Sequence, residues 1–309
     1  MTLTNAQIER RSLEVGKWGN LLMAVAGVAA AMLSHSDALL VDGLYSGVNF
    51  ISAIIAAQIS LAVARPADRR YPLGYDAYEA IYVTFRSLVL LGIMAFAVFN
   101  AVHKIFVYAS GGDVPELVFG PIFVYAVAMV VICFALAAWH QRNWRLSGGQ
   151  SEILQTESRA AVVDGVISGG AGGGLAAAGL LTGTALDFLV PVADSIIVLI
   201  MCALIVRQPA VMFLGALNEI AGASADPATI EKTRTTVAER LQNRPFQLLE
   251  IVVTKIGRSH FVISYIKPEQ PITGDEADQL WKELNEAIQA TLGQVSTEII
   301  IAGKSPYDD

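Results

Sequence analysis

Charge is scarce in this chain. Only 16% of its 309 residues are Asp, Glu, Lys or Arg, against 54% hydrophobic, and the mean hydropathy is +0.52. That balance excludes an ordinary soluble domain and fits a chain that crosses a bilayer several times. Basic residues are outnumbered, and the net charge of −7 argues against a nucleic-acid partner. Cysteine is nearly missing: Cys133 and Cys202 both sit in apolar runs without disulfide or metal-ligand spacing, and read as small buried hydrophobes. The polar N-terminus, MTLTNAQIERRSLEVGKWGN, lacks the cleavage pattern of a secretory signal, so the first apolar run is expected to stay as a membrane helix. The aqueous parts hold no nucleophile–base pair, phosphate loop or cofactor motif, which argues against an enzyme.

What is present is a series of long apolar runs. Six spans are expected: about Lys17–Ser34, Asp37–Ala64, Ala80–His103 (interrupted by Arg86), Leu117–Gln141, Ala160–Leu181 and Asp187–Val206. An even number puts both termini on one side. Arg10, Arg11 and Lys17, then Arg65, Arg69 and Arg70, then Arg142 and Arg145, then Arg207 flank that side, whereas the opposite loops hold only Lys104. By the positive-inside rule both termini are cytoplasmic, in a multi-pass protein of a cell membrane such as a bacterial inner membrane. The expected organisation is a cytoplasmic N-terminal segment (1–16), a six-span domain (17–207), a linker (208–225) and a cytoplasmic domain (226–309).

The second span carries the chemistry. Asp42, Tyr45, Ser46 and Asn49 stand at i, i+3, i+4 and i+7, one face of a helix. An ionisable group at the centre of a membrane helix costs at least ~2.5 kcal/mol, so such a stripe usually lines a pathway. The fifth span repeats the pattern, with Asp42-Gly-Leu-Tyr-Ser46-Gly echoed by Asp164-Gly-Val-Ile-Ser168-Gly. Glu157, Asp164 and Ser168 share a face there, and two buried carboxylates are better placed facing each other across a cation than facing lipid. Chance similarity of two short apolar strings is the bland alternative. The run Gly169–Gly174, broken only by Ala171, reads as close helix packing, with looseness for rocking as the sharper alternative. Asp194 in the sixth span is expected to make an interhelical hydrogen bond. His35, His140, Trp139 and Tyr125 read as interfacial polar and aromatic-belt residues.

Past the spans, Asp226-Pro227 reads as an N-cap and first helical position, for a helix to about Asn243. Strands are expected over 246–255 and 260–267 around a Gly257-Arg258-Ser259 turn. Thr273-Gly-Asp-Glu276 is a capping-box pattern before a helix whose apolar face holds Leu280, Leu284, Ala287 and Ile288, and a strand over 295–302 follows. The fold class is thus an α-helical membrane protein: six transmembrane helices, then a small α+β cytoplasmic domain, αββαβ and ferredoxin-like.

Three stretches resemble the cation diffusion facilitator family of divalent-metal exporters: Ser36 to Asn49 its second helix, Pro66 to Glu79 the loop into its third, and Gln155 to Ser168 its fifth. The resemblance implies a homodimer in the lipid bilayer that exports a divalent cation by alternating access in exchange for protons. It places the transport site at Tyr45, Asn49, Ala160 and Asp164 and makes Asp42 a flanking position one turn away, which the helical-face spacing keeps as an accessory group; Ser46, Glu157 and Ser168 are candidates to support the ligands from outside. The internal repeat instead pairs Asp42 with Asp164, but the family register, anchored by Ser36, Glu157 and Ser168, takes precedence for the site. The quartet has neither imidazole nor thiolate, and its oxygen donors suit Mn²⁺, Mg²⁺ or Fe²⁺ better than Zn²⁺. Zn²⁺ and Co²⁺ remain in the range of cargo, and no resident cofactor is expected. In the loop, Tyr71 and Tyr75 beside Asp68 stand where zinc-transporting members often carry His, which argues against a second metal site there. The lone His260 in a strand reads as structural. Two other readings are a protein that keeps the fold as a scaffold or regulator, and a transporter of another small cation.

Overall fold

The computed structural model describes residues 5–63, 65–72, 74–149 and 151–307. Its helices are α1 (Asn5–Ser34), α2 (Asp37–Val63), α3 (Ala77–Ala109), α4 (Phe119–Leu146), α5 (Glu152–Gly179), α6 (Ala193–Ile205) entered through a 3-10 turn at Asp187–Val192, α7 (Arg207–Ile220), α8 (Pro227–Leu241) and α9 (Gly274–Leu292). Three strands complete it: β1 (Phe246–Ile256), β2 (Ser259–Pro268) and β3 (Val295–Ile301). Among the described residues, six helices, α1 to α5 and the 3-10 turn with α6, are long and apolar enough to cross a membrane.

Several helices outrun their apolar stretches. The α5 helix begins at Glu152 rather than near Ala160, because its start is set by a cap: Ser151 Oγ accepts the Leu154 N–H at 3.3 Å. The α3 helix likewise runs from Ala77 to Ala109, beyond the expected 80–103. The larger difference is at 208–225, expected as a linker, where α7 occupies Arg207–Ile220. Pro209 signals a break by sequence, yet it falls in the first helical turn, where its missing N–H has no bond to lose.

The chain divides into two compact units, one of residues up to Ile55 with Arg86–Val211, the other of Ala56–Phe85 with Met212 onward. In the first, glycines bring helix backbones together. A Cβ on Gly27 of α1 would stand 2.5 Å from Gly43 Cα of α2. On α5, a Cβ at Gly165 would meet Cys133 Cβ at 2.9 Å, one at Gly169 would meet Val130 at 2.9 Å, and one at Gly172 would overlap Ala126 Cβ, all on α4. The glycine run is therefore a close-packing surface. Met23, Ala101, Ile122, Met129, Leu175 and Val198 form the centre of this core.

In the second unit the strands lie in the order β1-β2-β3, β1 and β2 antiparallel and β2 and β3 parallel, giving αββαβ from α8 onward. Gly257, with φ of 58°, permits the tight β1–β2 turn. The expected caps are present: Asp226 accepts the Thr229 N–H at 3.0 Å, and Thr273 and Glu276 form a capping box. Leu280, Leu284, Ala287 and Ile288 are buried; Leu280, Leu284 and Ile288 pack in a core with Val237, Val253, Val262 and Ile266. The hairpin tip is held inside this unit, where Arg258 Nε donates to Glu79 at 2.9 Å and the Gly257 N–H to Glu219 at 3.0 Å.

Candidate functional site

Helical spacing on α2 and α5 puts the two carboxylates of the repeated pattern at one cavity. It measures about 140 Å³ and is lined by Asp42, Tyr45 and Ser46 from α2 and by Asp164 and Ser168 from α5, with Leu90, Ile93 and Met94 from α3. The cavity lies within the first unit.

The two carboxylates are held differently. Asp42 is tied down: Tyr125 Oη donates to its Oδ2 at 2.8 Å, and Ser168 Oγ lies 3.0 Å from Oδ2 and 3.2 Å from Oδ1. These donors fix the carboxylate while leaving further lone pairs. Asp164 instead faces the negative charges of Asp42 and Glu157, with no hydrogen-bond donor against it among the described residues. Two carboxylates with few donors around them make a seat for positive charge, whether one dication or protons.

The positions assigned by family register do not all meet there. Tyr45 and Asp164 line the cavity, whereas Asn49 and Ala160 are not among its lining residues. Asn49 accepts a hydrogen bond from Arg86 Nη2 of α3 at 3.0 Å. Glu157, exposed on α5, also stays outside the lining but lies in electrostatic reach of Arg86 and Asp164. The cavity brings together Asp42 and Asp164, the two residues that the internal repeat singles out.

Sequence reasoning missed several contributors. Tyr125 stands in α4 as a buried partner of Asp42, not in an aromatic belt; a phenol in mid-span needs a polar partner, and that need was the available signal. Met23, Met94, Met129, Met201 and Cys202 also line the cavity, with nothing in their spacing to announce it. His140 is buried rather than interfacial, its Nδ1 2.9 Å from Ser12 Oγ, and a Cβ on Gly16 would press on its ring. Among the described residues, no three His, Cys, Asp or Glu side chains gather as a metal-ligating group.

Asp194 makes the expected interhelical bonds. Wholly buried, it accepts Ser36 Oγ at 2.5 Å, the Asp37 N–H at 2.8 Å and the Ala38 N–H at 3.3 Å, so α6 caps the N-terminus of α2. Lys104 Nζ lies 3.9 Å away and supplies the opposite charge. In the loop before α3, Asp68 accepts the Arg70 and Tyr71 N–H groups at 2.8 Å each and Tyr75 Oη at 2.6 Å. The Tyr75 hydroxyl first, then the backbone N–H groups, hold the Asp68 carboxyl below its ordinary range. That carboxylate is engaged in folding its own loop.

Comparison with known proteins agrees with this layout. A model of the cation efflux transmembrane domain matches residues 15–220, which include all six candidate spans from Val15 onward and α7. The manganese efflux system protein MneP of Bacillus subtilis (strain 168) is 21% identical over 116 residues, 38% of this chain and 38% of that protein. The match thus spans well under half the length of that relative.

Proposed function

The chain belongs to the cation efflux family, and on that premise we propose that it exports a divalent metal cation from the cytoplasm by alternating access, in exchange for protons. The observation that carries this reading is the cavity that brings Asp42 and Asp164 together from α2 and α5. Their two negative charges match one dication, or two protons on the return, so exchange keeps the buried charge balanced. Asp164, with no hydrogen-bond donor against it among the described residues, is the ligand that changes partner, and Asp42, fixed by Tyr125 and Ser168, is the standing half of the seat. Tyr45, Ser46 and Ser168 supply neutral oxygen donors.

The donor set also bears on cargo. Carboxylate, phenol and hydroxyl oxygens suit Mn²⁺, Fe²⁺ and Mg²⁺ over Zn²⁺. Mg²⁺ demands a near-octahedral oxygen shell, and a wall of four methionines and Cys202 replaces water poorly for it. Mn²⁺ and Fe²⁺ tolerate mixed surroundings, and the manganese-exporting relative points to Mn²⁺ first. The Arg and Lys distribution favours cytoplasmic termini, and the αββαβ unit is the natural place for homodimer contacts.

Uptake of Mn²⁺ into proteoliposomes under an imposed pH gradient tests the reading; Mn²⁺ entry with matching proton exit is expected, and no movement of any divalent ion would remove it. One observation favours a second reading: with Asn49 engaged by Arg86, half of the family-register positions offer no free donor, as a fold retained for scaffolding would show. That reading expects no divalent-ion binding.

A further inference from the structure

Arg86 is the charge that interrupts the apolar run of α3. Its side chain is half-buried, its Nη2 donates to Asn49 Oδ1 at 3.0 Å, and its Nε is buried without a partner among the described residues. A guanidinium stays protonated, so this is a permanent positive charge within a membrane helix. Such a charge is expensive and seldom idle.

Its position relative to the seat follows from helical spacing. Leu90, Ile93 and Met94 line the cavity, and Arg86 lies one turn before Leu90 on that face of α3. Asn49 lies one turn beyond Tyr45 on α2, and Glu157 two turns before Asp164 on α5, within electrostatic reach of the guanidinium. Because α3 and α5 run opposite to α2 through the layer, Asn49, Arg86 and Glu157 stack as one polar layer against one end of the cavity. One turn is about 5.4 Å along a helix.

Resting on the export reading, we propose that Arg86 is a specificity-determining residue of the cation seat: its guanidinium holds the Asn49 carbonyl out of the donor set, and its fixed charge sets how much positive charge the seat retains. The three carboxylates of the two layers, Asp42, Asp164 and Glu157, carry three negative charges when ionised, and Arg86 cancels one. What remains equals one dication. Without Arg86 the pair of layers holds an excess negative charge and a freed carbonyl, which binds a dication more tightly and releases it more slowly. Asn49 is thereby a position that Arg86 keeps from ligation, not a ligand.

The test uses the full chain in detergent and in proteoliposomes, with Mn²⁺ as probe. Arg86→Gln is expected to lower the Mn²⁺ Kd by about tenfold or more, the scale of removing one charge–charge repulsion in a protein-like medium. KM and kcat are expected to fall together, a split that mere loss of packing does not produce. Adding Asn49→Ala to Arg86→Gln should reverse part of the gain, and Arg86→Lys, which keeps the charge, should stay nearer to wild type. Unchanged or weaker Mn²⁺ binding by monodisperse Arg86→Gln protein would overturn the proposal. Where that variant does not fold, Asn49→Ala alone decides. Affinity within about twofold of wild type upholds the proposal, and a loss above about tenfold overturns it by making Asn49 a ligand. A wild type that neither binds nor moves Mn²⁺ removes the export reading. Arg86→Gln still decides the inference in that case: Asn49-dependent gain of binding upholds it, and no gain overturns it.

Discussion

Ser168 on α5 and Asp42 on α2, 126 residues apart, meet with Ser168 Oγ 3.0 Å from Asp42 Oδ2, while Tyr125 reaches the same oxygen at 2.8 Å. The carboxylate is thus fixed from two helices, α4 and α5. Ser168→Ala and Tyr125→Phe are each expected to weaken Mn²⁺ uptake severalfold, on the scale of about 1 kcal/mol per hydrogen bond to the site. The double variant should cost more than the sum, since Asp42 is then left with neither donor. Uptake KM across the four proteins measures this; strict additivity with no change in KM would show that neither donor supports the seat.

Most of this fold was legible in the sequence because its signals are local. Apolar runs, the Asp226-Pro227 start and the Thr273–Glu276 box each report on their own few residues, and each is where expected. Helix ends were less legible where a cap rather than hydropathy sets them, as Ser151 does for α5, and where Pro209 opens α7 instead of breaking the chain. The site was half legible. Asp42, Tyr45 and Asp164 announce themselves by spacing, but Tyr125, Arg86 and Cys202 join the region only through contacts between helices, which no periodicity encodes.

Asp194 is a structural carboxylate. Replacing it with Ala strips three hydrogen bonds from the start of α2 and leaves Lys104 with Asp37, 4.0 Å away, as its remaining carboxylate, and should cost roughly 2–4 kcal/mol. Thermal unfolding in detergent reads this as a clear fall in Tm, with Asp194→Asn intermediate. An unchanged Tm would contradict the capping role.

Gly172 has no room for a side chain against Ala126. Gly172→Ala should separate α5 from α4 and destabilise by about 1–3 kcal/mol, the usual cost of overpacking. Ala126→Gly in the same chain should restore much of the loss, because it removes the atom that the new methyl meets. Failure of that rescue in thermal melts would show that Gly172 serves flexibility and not packing.

In the αββαβ region, Glu250 Oε1 accepts the Ile251 N–H at 2.8 Å and Arg234 Nη2 at 2.5 Å. The backbone N–H first, and Arg234 after it, hold this carboxyl below the ordinary 4.5. A carboxyl depressed in the folded state contributes stability above its unfolded value and loses it as pH falls through the folded one. Between pH ~6 and ~3.5 wild type should therefore lose more Tm than Glu250→Gln. Parallel pH profiles of the two proteins would contradict this.

If the cavity between Asp42 and Asp164 seats an exported cation, Asp164 is the residue that probes it most directly. Ion-panel uptake into proteoliposomes, with Mn²⁺, Fe²⁺, Co²⁺, Zn²⁺ and Mg²⁺, would be run on wild type and Asp164→Asn side by side. Mn²⁺ or Fe²⁺ uptake is expected of wild type and none of Asp164→Asn, which keeps the side-chain shape and removes the charge. Full uptake by Asp164→Asn would contradict it.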